Sequence, residues 1–314
     1  MRNEYAGKVL ARNRVGALIR VFADSPETVS YQVESALKAL EQLLTIKVEN
    51  RLVFSRIDFL VSDDNRFDDS DCGLTAEYLR SQIRARYAGA PVSVLDVKNG
   101  DIYCLLLNYG IVNQLEDRVS YSLILSHGIA EYLTQEHIEA LVAAMYCKAR
   151  VAGLAIPEIG DLVKKGRIEN TCALWHNKSL MTVGGFDLRA SRPERVHLHL
   201  HKKVTGESQE KAEKYGDPEV EYTLAGCEEI IPLVRFLKFF GPSVAIVKPH
   251  QQYAWHVGDD GGDTHAHMRH LAKLATKEIR QSHMASLENV SVDILEKGII
   301  DLHSSICNPM PVEM

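Results

Sequence analysis

Residues 121–142 read YSLILSHGIAEYLTQEHIEALV and contain, side by side, the two patterns that decide the fold. The first six residues form a short apolar run, which is typical of a strand buried inside a parallel sheet. After Thr134, apolar residues recur at helical spacing and predict an amphipathic helix. They are Ile138, Leu141, Val142 and Met145. The stretch therefore predicts a strand that ends at Ser126, His127 and Gly128 and is followed by a helix.

The same alternation of strand and helix extends toward the N-terminus. The predicted elements lie at residues 14–22 (RVGALIRVF), 23–44 (ADSPETVSYQVESALKALEQLL), 56–62 (RIDFLVS), 74–87 (LTAEYLRSQIRARY) and 91–97 (PVSVLDV). In the first helix, Ser25 can act as the cap and Pro26 can occupy the first turn. This order predicts an α/β fold whose sheet is largely parallel at its start and whose ligands gather beyond the carboxyl ends of the strands.

Composition excludes several classes of protein. The 314 residues are 46% hydrophobic, which is enough for one large core or two modest ones. A net charge of -6 and a pI near 6.1 give no electrostatic reason to bind nucleic acid or an anionic membrane. No apolar run approaches the roughly 20 residues that span a bilayer, and the N-terminus lacks the apolar core of a signal peptide. We therefore expect a cytoplasmic protein without a transmembrane segment, and a homo-oligomer is compatible with the sequence.

The spacing of the cysteines and the absence of the common nucleotide signatures exclude further classes of protein. The 6 cysteines include no C-x-x-C pair, so neither a zinc knuckle nor a disulfide framework is indicated. A phosphate loop, a G-x-G-x-x-G after the first strand and a G-x-S-x-G elbow are all missing from the sequence. Five weaker features occur instead, in one order. They are GALIRVFADSPETVSYQVESALKAL (16–40), FLVSDDNRFDDSD (59–71), LNYGIVNQ (107–114), TCALWHNKSLMTVGGFD (171–187) and GCEEIIPLVRFLKFFGPSVAIVKP (226–249).

This order resembles that of the GT-A-fold glycosyltransferases, and most closely the large family 2 group of inverting enzymes. The resemblance covers about residues 15–256. It implies a GT-A-like (Rossmann-like) mixed sheet flanked by helices over residues 1–257, with a flexible loop and a helical C-terminal extension over 258–314. It also implies that a sugar, a hexose in most such enzymes, passes from a nucleoside diphosphate sugar to a hydroxyl-bearing acceptor with inversion.

The resemblance also implies a change at the usual metal motif. In the family, the strand similar to YSLILS ends in Asp-x-Asp, whose carboxylates help to hold a divalent metal against the diphosphate. Here the matching residues are Ser126, His127 and Gly128. Mg²⁺ and Mn²⁺ prefer oxygen ligands, so we expect these residues to border the diphosphate with metal binding weakened or absent. His256 is nearest to the C-terminal histidine that completes the metal site in some relatives, and a polar surface loop is its alternative explanation.

Three aspartates match the nucleotide-binding positions of the family. Asp63 and Asp64 follow the second strand and resemble the carboxylates that contact the base and ribose, and Asp24 follows the first strand. Each has a simpler explanation, because the turn after Asp64 carries more acidic residues and Asp24 is well placed to cap a helix. The resemblance favours nucleotide binding for all three.

The acceptor half contributes the remaining candidates. Glu228 and Glu229 match the Glu-Asp pair of inverting members, which makes Glu229 the candidate base and Glu228 the alternative if the register differs by one. Acidic residues at a helix start also complement the helix dipole, so a structural role stays open. Trp175 could stack on an acceptor sugar or belong to the core, and Arg235 is expected to form a structural salt bridge.

Two functions from different classes follow from these features. The first is a nucleotide-sugar glycosyltransferase with an atypical metal site. The alternative is an inactive pseudo-glycosyltransferase that acts as a binding or assembly protein, because the carboxylates of Asp-x-Asp are missing. A sugar nucleotidyltransferase is disfavoured, since the segment RVFADSPETV (20–29) lacks the Gly-rich, Arg/Lys-containing loop that we would expect.

Overall fold

A seven-stranded sheet lies at the centre of the computed structural model. The structure describes residues 2–23, 25–63, 73–97, 103–130, 132–155, 164–168, 172–191, 227–248, 277–300 and 302. Its strands are β1 (Arg14–Ala23), β2 (Lys47–Val48), β3 (Arg51–Leu52), β4 (Phe54–Asp63), β5 (Val92–Asp96), β6 (Val119–Ser126), β7 (Val151–Leu154), β8 (Cys172–His176) and β9 (Val244–Val247). The large sheet has the order β5-β4-β1-β6-β8-β7-β9, and β2 and β3 form a separate hairpin.

Helices cover both faces of the sheet. They are α1 (Arg2–Arg12), α2 (Val29–Thr45), α3 (Leu74–Arg86), α4 (Tyr103–Glu116), α5 (His127–Ala130), α6 (Gln135–Tyr146), α7 (Asn177–Thr182), α8 (Ile230–Phe240) and α9 (Lys277–Ser286). The buried residues of α1, α2, α3 and α6 pack on one face, and those of α4, α7, α8 and α9 pack on the other. The predicted class, a mixed α/β sheet flanked by helices, is confirmed.

After β5, the chain returns to the other side of β1 and adds the next strands there. From β1 the chain passes through α2 to β4 and through α3 to β5, building the sheet toward one edge. Helix α4 then crosses the opposite face, and β6 pairs with the other side of β1. Strands β1, β4, β5 and β6 are parallel to their neighbours in this group. The carboxyl ends of β1 and β6 therefore form a topological switch point, where open α/β sheets bind ligands.

One strand of the sheet runs against the others, as the mixed sheet that the resemblance implies requires, but the sequence did not show which strand it is. Strand β8 pairs antiparallel with both β6 and β7, and it makes the sheet mixed. The run Cys172–His176 is only five residues long, and a short apolar run does not reveal the direction in which it pairs. Helix α1 was not predicted either, because its sequence is mostly polar and few of its residues are buried.

The predicted first helix is confirmed with one difference. Its apolar face includes Val33, Leu37 and Leu40, which are all buried. The helical spacing of the sequence also predicts Leu44 on that face, but Leu44 is half-buried, whereas Leu43 is buried. Before the α-helix, Ser25 and Pro26 begin a 3-10 turn, in which the Ser25 amide donates to Thr28 Oγ1 at 3.3 Å. The first turn is thus formed by the residues that the sequence indicated.

The described part of the C-terminal region is helical and joins the core. Met284 of α9 and Leu295 of the 3-10 helix Val292–Gly298 are fully buried in the cluster that α8 also supplies. The Ile300 amide donates to the carbonyl of Val244 at 2.8 Å, which fixes this region to the sheet edge. The predicted boundary at residues 257 and 258 lies outside the described residues, as does the alternating run VHLHLH (196–201), whose pattern predicts a half-exposed strand. In the described part of the chain, no helix has the length and apolar character needed to cross a membrane.

Candidate functional site

Predicted nucleotide-binding residues from two strands meet at one edge of the sheet. Asp63 is the last residue of β4 and lies opposite Ala23 of β1. On the other side of β1, Ser126 ends β6 and lies opposite Arg20. Neighbouring strands are about 4.8 Å apart, so β4 and β6 are separated only by the width of β1. Asp24 and Asp64, which extend the same edge in sequence, lie outside the described residues.

The Asp63 carboxylate has one oxygen bonded and one oxygen available. Oδ2 accepts a hydrogen bond from the Gly73 amide at 3.0 Å, which holds the side chain at the start of α3. Oδ1 is buried and has no hydrogen-bond partner among the residues that the structure describes. A buried acceptor without a partner is unfavourable, and the effect is larger when the acceptor is charged. The geometry suits a ligand that brings an N–H or O–H donor, such as a base or a ribose.

The segment that replaces Asp-x-Asp begins the short helix α5. His127 is half-buried, and its Nδ1 lies 2.8 Å from Ser35 Oγ of α2. Burial, and secondarily the charge of Arg20, lower the pKa of His127 to about 4, so its imidazole is neutral at pH 7. A Cβ added at Gly128 would meet no described residue within 4 Å, so none of the described part of the chain fills the space beside it.

The described residues of this segment do not fit Mg²⁺ or Mn²⁺. Those ions take several oxygen ligands, whereas Ser126, His127 and Gly128 offer one hydroxyl and one imidazole, with Nδ1 of the imidazole already bonded to Ser35. In the described ranges, no three His, Cys, Asp or Glu side chains come together as metal ligands. His256, the remaining candidate ligand, lies outside those ranges. The expectation of weakened or absent metal binding therefore stays a prediction for the whole chain.

Arg20 was not selected from the sequence, and it lies beside this segment. Its guanidinium carbon is 4.6 Å from the ring centre of Tyr103 and 5.1 Å from that of Phe22. Its Nε is buried without a hydrogen-bond partner in the described part of the chain. The signal was present in RVGALIRVF, because a charged residue inside a buried strand is rarely tolerated without a partner.

The two candidate catalytic glutamates are enclosed by protein. Glu228 and Glu229 immediately precede α8 and are only 4% and 1% exposed. Two basic residues, Lys277 and Arg280 of α9, are also buried. All four charges act on Cys227, whose pKa is raised first by burial and then by Glu229, and is lowered by Arg280 and Lys277. Acidic and basic groups thus surround this thiol, and the arrangement offsets the cost of burying charge.

Tyr103 is affected by the charges of the acidic pair, Glu228 and Glu229, and by that of Arg20 at the sheet edge. Burial raises the pKa of this buried phenol most strongly; Arg20 lowers it, and Glu228 and Glu229 raise it. Arg20 and the glutamates therefore lie within electrostatic reach of the same side chain. Glu229 occupies the N-cap position of α8 without a capping hydrogen bond from its side chain. The predicted base and the predicted diphosphate-binding segment both lie near the start of α4.

Two motif segments that are far apart in sequence are joined by reciprocal hydrogen bonds. Asn108 of the LNYGIVNQ segment donates from Nδ2 to the Phe186 carbonyl at 2.8 Å, and its Oδ1 accepts from the Phe186 amide at 2.8 Å. Gly185 has φ +70°, and a Cβ there would lie 2.5 Å from Asn108 Oδ1. The G-G-F-D sequence therefore allows the chain to lie against α4, which explains why glycine is required at this position.

A third motif segment joins the same assembly through Arg235. This residue donates to Asp187 Oδ2 at 2.8 Å and to Glu288 Oε1 at 2.9 Å, so its predicted structural salt bridge is confirmed. Arg189 also donates to Asp187, and its hydrogen bonds are the main reason why the pKa of Asp187 falls to about 2. The end of G-G-F-D is thus fixed to α8.

Trp175 does not contact solvent in this structure. Its side chain is fully buried, and its ring packs edge-on against Phe186 at 5.2 Å and Phe236 at 5.8 Å between ring centres. A ring enclosed by other aromatic rings has no face to offer an acceptor sugar. We therefore assign Trp175 to the core, the alternative that the sequence left open.

Among known proteins, similarity to this chain is found in solved structures. No family model and no curated protein matches the chain. Solved structures of similar fold include a mannosyltransferase from Pyrobaculum calidifontis in complex with GDP-mannose and Mn²⁺, with a TM-score of 0.46, 10% identity, and coverage of 98% of this chain and 83% of that one. Another is glucosyl-3-phosphoglycerate synthase from Mycobacterium tuberculosis in complex with UDP, with a TM-score of 0.39, 13% identity, and coverage of 90% and 84%.

A cytidylyltransferase from Leptospira borgpetersenii is also similar, with a TM-score of 0.35, 12% identity and coverage of 55% of this chain. The aligned region spans 64% of the cytidylyltransferase, slightly less than two thirds of its length.

Proposed function

We propose that the protein is an inverting glycosyltransferase of GT-A type, which binds a nucleoside diphosphate sugar beyond the carboxyl ends of β1, β4 and β6. The observation that carries this proposal is the buried Oδ1 of Asp63, which has no partner among the described residues and lies at the sheet edge beside the switch point. Open α/β sheets bind nucleotides in this position. A nucleoside supplies the N–H and O–H donors that this oxygen lacks.

The remaining candidates have roles that follow from their places along the edge. Asp63, together with Asp24 and Asp64 from the sequence, would contact the base and ribose. The segment Ser126–Gly128 would border the diphosphate, which would lie in the space beside Gly128 that no described residue fills. His127 is neutral at pH 7, so it can donate or accept a hydrogen bond there without adding charge.

Glu229 is the proposed base for transfer of a hexose. Its carboxylate would take the proton of an acceptor hydroxyl, and the hydroxyl oxygen would form a bond to the anomeric carbon of the sugar. The bond from that carbon to the diphosphate oxygen would break, and its electron pair would leave with the nucleoside diphosphate. Attack from the side opposite the leaving group inverts the anomeric configuration. Glu228 is the alternative base, because it is the immediate neighbour and is similarly buried.

A second candidate is a binding protein without turnover, which keeps the nucleotide site and has lost the chemistry. Two observations favour it: Ser126–Gly128 contains no carboxylate, and Glu229 is only 1% exposed. Both candidates share the nucleotide site, so they differ only in whether the bond to the sugar is broken.

Calorimetric titration with nucleoside diphosphates tests the shared part of the proposal. The protein would be titrated with UDP, GDP, ADP, CDP and dTDP, each with Mn²⁺ and with EDTA, and with the matching nucleosides as controls. We expect saturable binding of at least one diphosphate, tighter than that of its nucleoside. An absence of saturable binding for all five at millimolar concentration would overturn the proposal.

A further inference from the structure

The place of Arg20 follows from how β1 packs against α4. A Cβ at Gly16 would meet the side chain of Gln114, and Gly110 lies against Leu18. Alternate residues of a strand point to the same face, so Arg20 is the next residue on this face toward the carboxyl edge. There it contacts Tyr103, at the start of α4. The guanidinium therefore lies at the switch point, on the strand position paired with Ser126.

No carboxylate among the described residues forms an ion pair with the Arg20 guanidinium. Within the described ranges, Arg20 makes no ion pair, and its Nε is buried without a hydrogen-bond partner. Two aromatic rings, those of Phe22 and Tyr103, hold the guanidinium by cation–π contact. The buried Arg167 differs from Arg20, since it pairs with Asp293 and Glu278. A partly buried guanidinium that aromatic rings hold in place, and that forms no ion pair with a described residue, is suited to bind an anion.

We propose that Arg20 binds the diphosphate of the nucleotide donor and supplies the positive charge that a divalent cation supplies in Asp-x-Asp enzymes. The inference rests on the proposed function, because it assigns the diphosphate to the same edge of the sheet. Guanidinium N–H groups pair with phosphate oxygens in a planar, two-bond arrangement. As the bond from the anomeric carbon to the diphosphate breaks, negative charge grows on the departing oxygen. Arg20 stabilises that charge by hydrogen bonding and takes no part in the proton transfer.

The neighbouring residues agree with this role. His127 adds no second positive charge at pH 7, since burial and Arg20 keep it neutral. Ser126 lies opposite Arg20 in the strand register and can donate its hydroxyl to the same phosphate. The hydroxyl, the imidazole and the guanidinium together form a donor-rich edge, in contrast to the acidic edge of the family motif.

Titration of Arg20→Gln and Arg20→Lys with a nucleoside diphosphate, and with its nucleoside, tests the inference. Arg14→Gln is the matched control, because Arg14 begins the same strand at the opposite edge of the sheet. We expect Arg20→Gln to weaken binding of the diphosphate at least about tenfold and binding of the nucleoside less than about twofold. Lysine keeps the charge without the planar fork, so Arg20→Lys should fall between the parent and Arg20→Gln. Arg14→Gln should match the parent, and thermal unfolding checks that each variant is folded.

The outcomes separate this inference from the proposed function. If the parent binds a diphosphate and both Arg20 variants bind it within twofold of the parent, the role of Arg20 is wrong and the proposed function stands. If the variants lose the same factor in affinity for the diphosphate and for the nucleoside, Arg20 has a structural role, and this result would also overturn the inference. If the parent binds no diphosphate, both proposals fail.

Discussion

Asp63→Asn removes the proposed nucleotide acceptor while preserving the local structure. The asparagine Oδ1 can still accept the hydrogen bond from the Gly73 amide, which the parent makes at 3.0 Å. The amide nitrogen then occupies the place of the buried carboxylate oxygen that has no partner in the described residues. The substitution therefore removes the charge and the free acceptor at one atom and leaves the other contact intact.

The expected loss of affinity follows from that single acceptor. Hydrogen bonds to charged groups contribute about 1.5–3 kcal/mol, which corresponds to a roughly 10- to 150-fold rise in the Kd of the nucleoside diphosphate. The free energy of unfolding should change by less than about 1 kcal/mol, because the Gly73 hydrogen bond remains and a buried charge is removed. Calorimetric titration measures the first quantity, and urea unfolding measures the second.

Asp117→Asn provides the matched control. It makes the same change of charge at the amino edge of the sheet, where Asp117 pairs with Arg56 far from the proposed site. Its nucleotide affinity should equal that of the parent. Binding by Asp63→Asn within twofold of the parent would refute the assignment of Asp63. An equal reduction of nucleotide affinity in Asp63→Asn and Asp117→Asn would indicate an effect of net charge and would also refute the assignment.

Three further predictions concern the motif contacts, metal dependence and pH. Gly185→Ala should lower the free energy of unfolding at least about 1 kcal/mol more than Gly89→Ala in urea titrations, because both have positive φ but only Gly185 lies against Asn108; equal losses would contradict this. EDTA should leave the Kd of a nucleoside diphosphate within about twofold of its value with Mn²⁺, and a strong, saturable Mn²⁺ requirement would redirect attention to His256. Burial and Arg150 lower the pKa of His176 from 6.5 to about 4, so its stabilising contribution is present above pH 6.5 and lost toward pH 4. His176→Asn should therefore reduce the fall in stability over that range. Identical profiles of stability against pH for the parent and the variant would show that His176 does not cause this fall.

The parallel part of the fold could be predicted because each element carries its own local pattern. The apolar run of residues 119–126 matches β6, and the spacing after Thr134 matches α6. The antiparallel pairing of β8 could not be predicted in the same way, because strand direction depends on partners distant in sequence. The resemblance supplied the mixed sheet, and the strand order agrees with that expectation.

The candidate site was predicted in part. The motif order selected Asp63 and the segment at Ser126, and the structure brings them to one edge. The family motif at this edge consists of carboxylates, so it gives no signal for a cation such as Arg20 in the same place. The contact of Asn108 with Phe186 joins residues 78 positions apart. Local spacing carries no information about such a contact.

The burial of Glu228 and Glu229 could not be predicted either. A pair of acidic residues before a helix is usually exposed, where it complements the helix dipole. Here Lys277 and Arg280, about 50 residues later in the chain, lie close enough to offset their charge. The burial of these two glutamates with Lys277 and Arg280 is therefore a property of the tertiary structure and not of the local sequence.

Phosphorus NMR of nucleoside diphosphate sugars incubated with the protein tests the central claim most directly. The account predicts that at least one donor is converted to its nucleoside diphosphate, slowly by hydrolysis or faster with a hydroxyl acceptor. Glu229→Gln should reduce this rate by about 10² to 10⁴, with donor affinity nearly unchanged, and Glu228→Gln run in parallel identifies the base if the register differs by one. Conversion at the parent rate in both variants would contradict the assigned base. If a nucleoside diphosphate binds but no donor is converted by the parent, the claim of transfer is wrong and the protein is a nucleotide-binding pseudoenzyme.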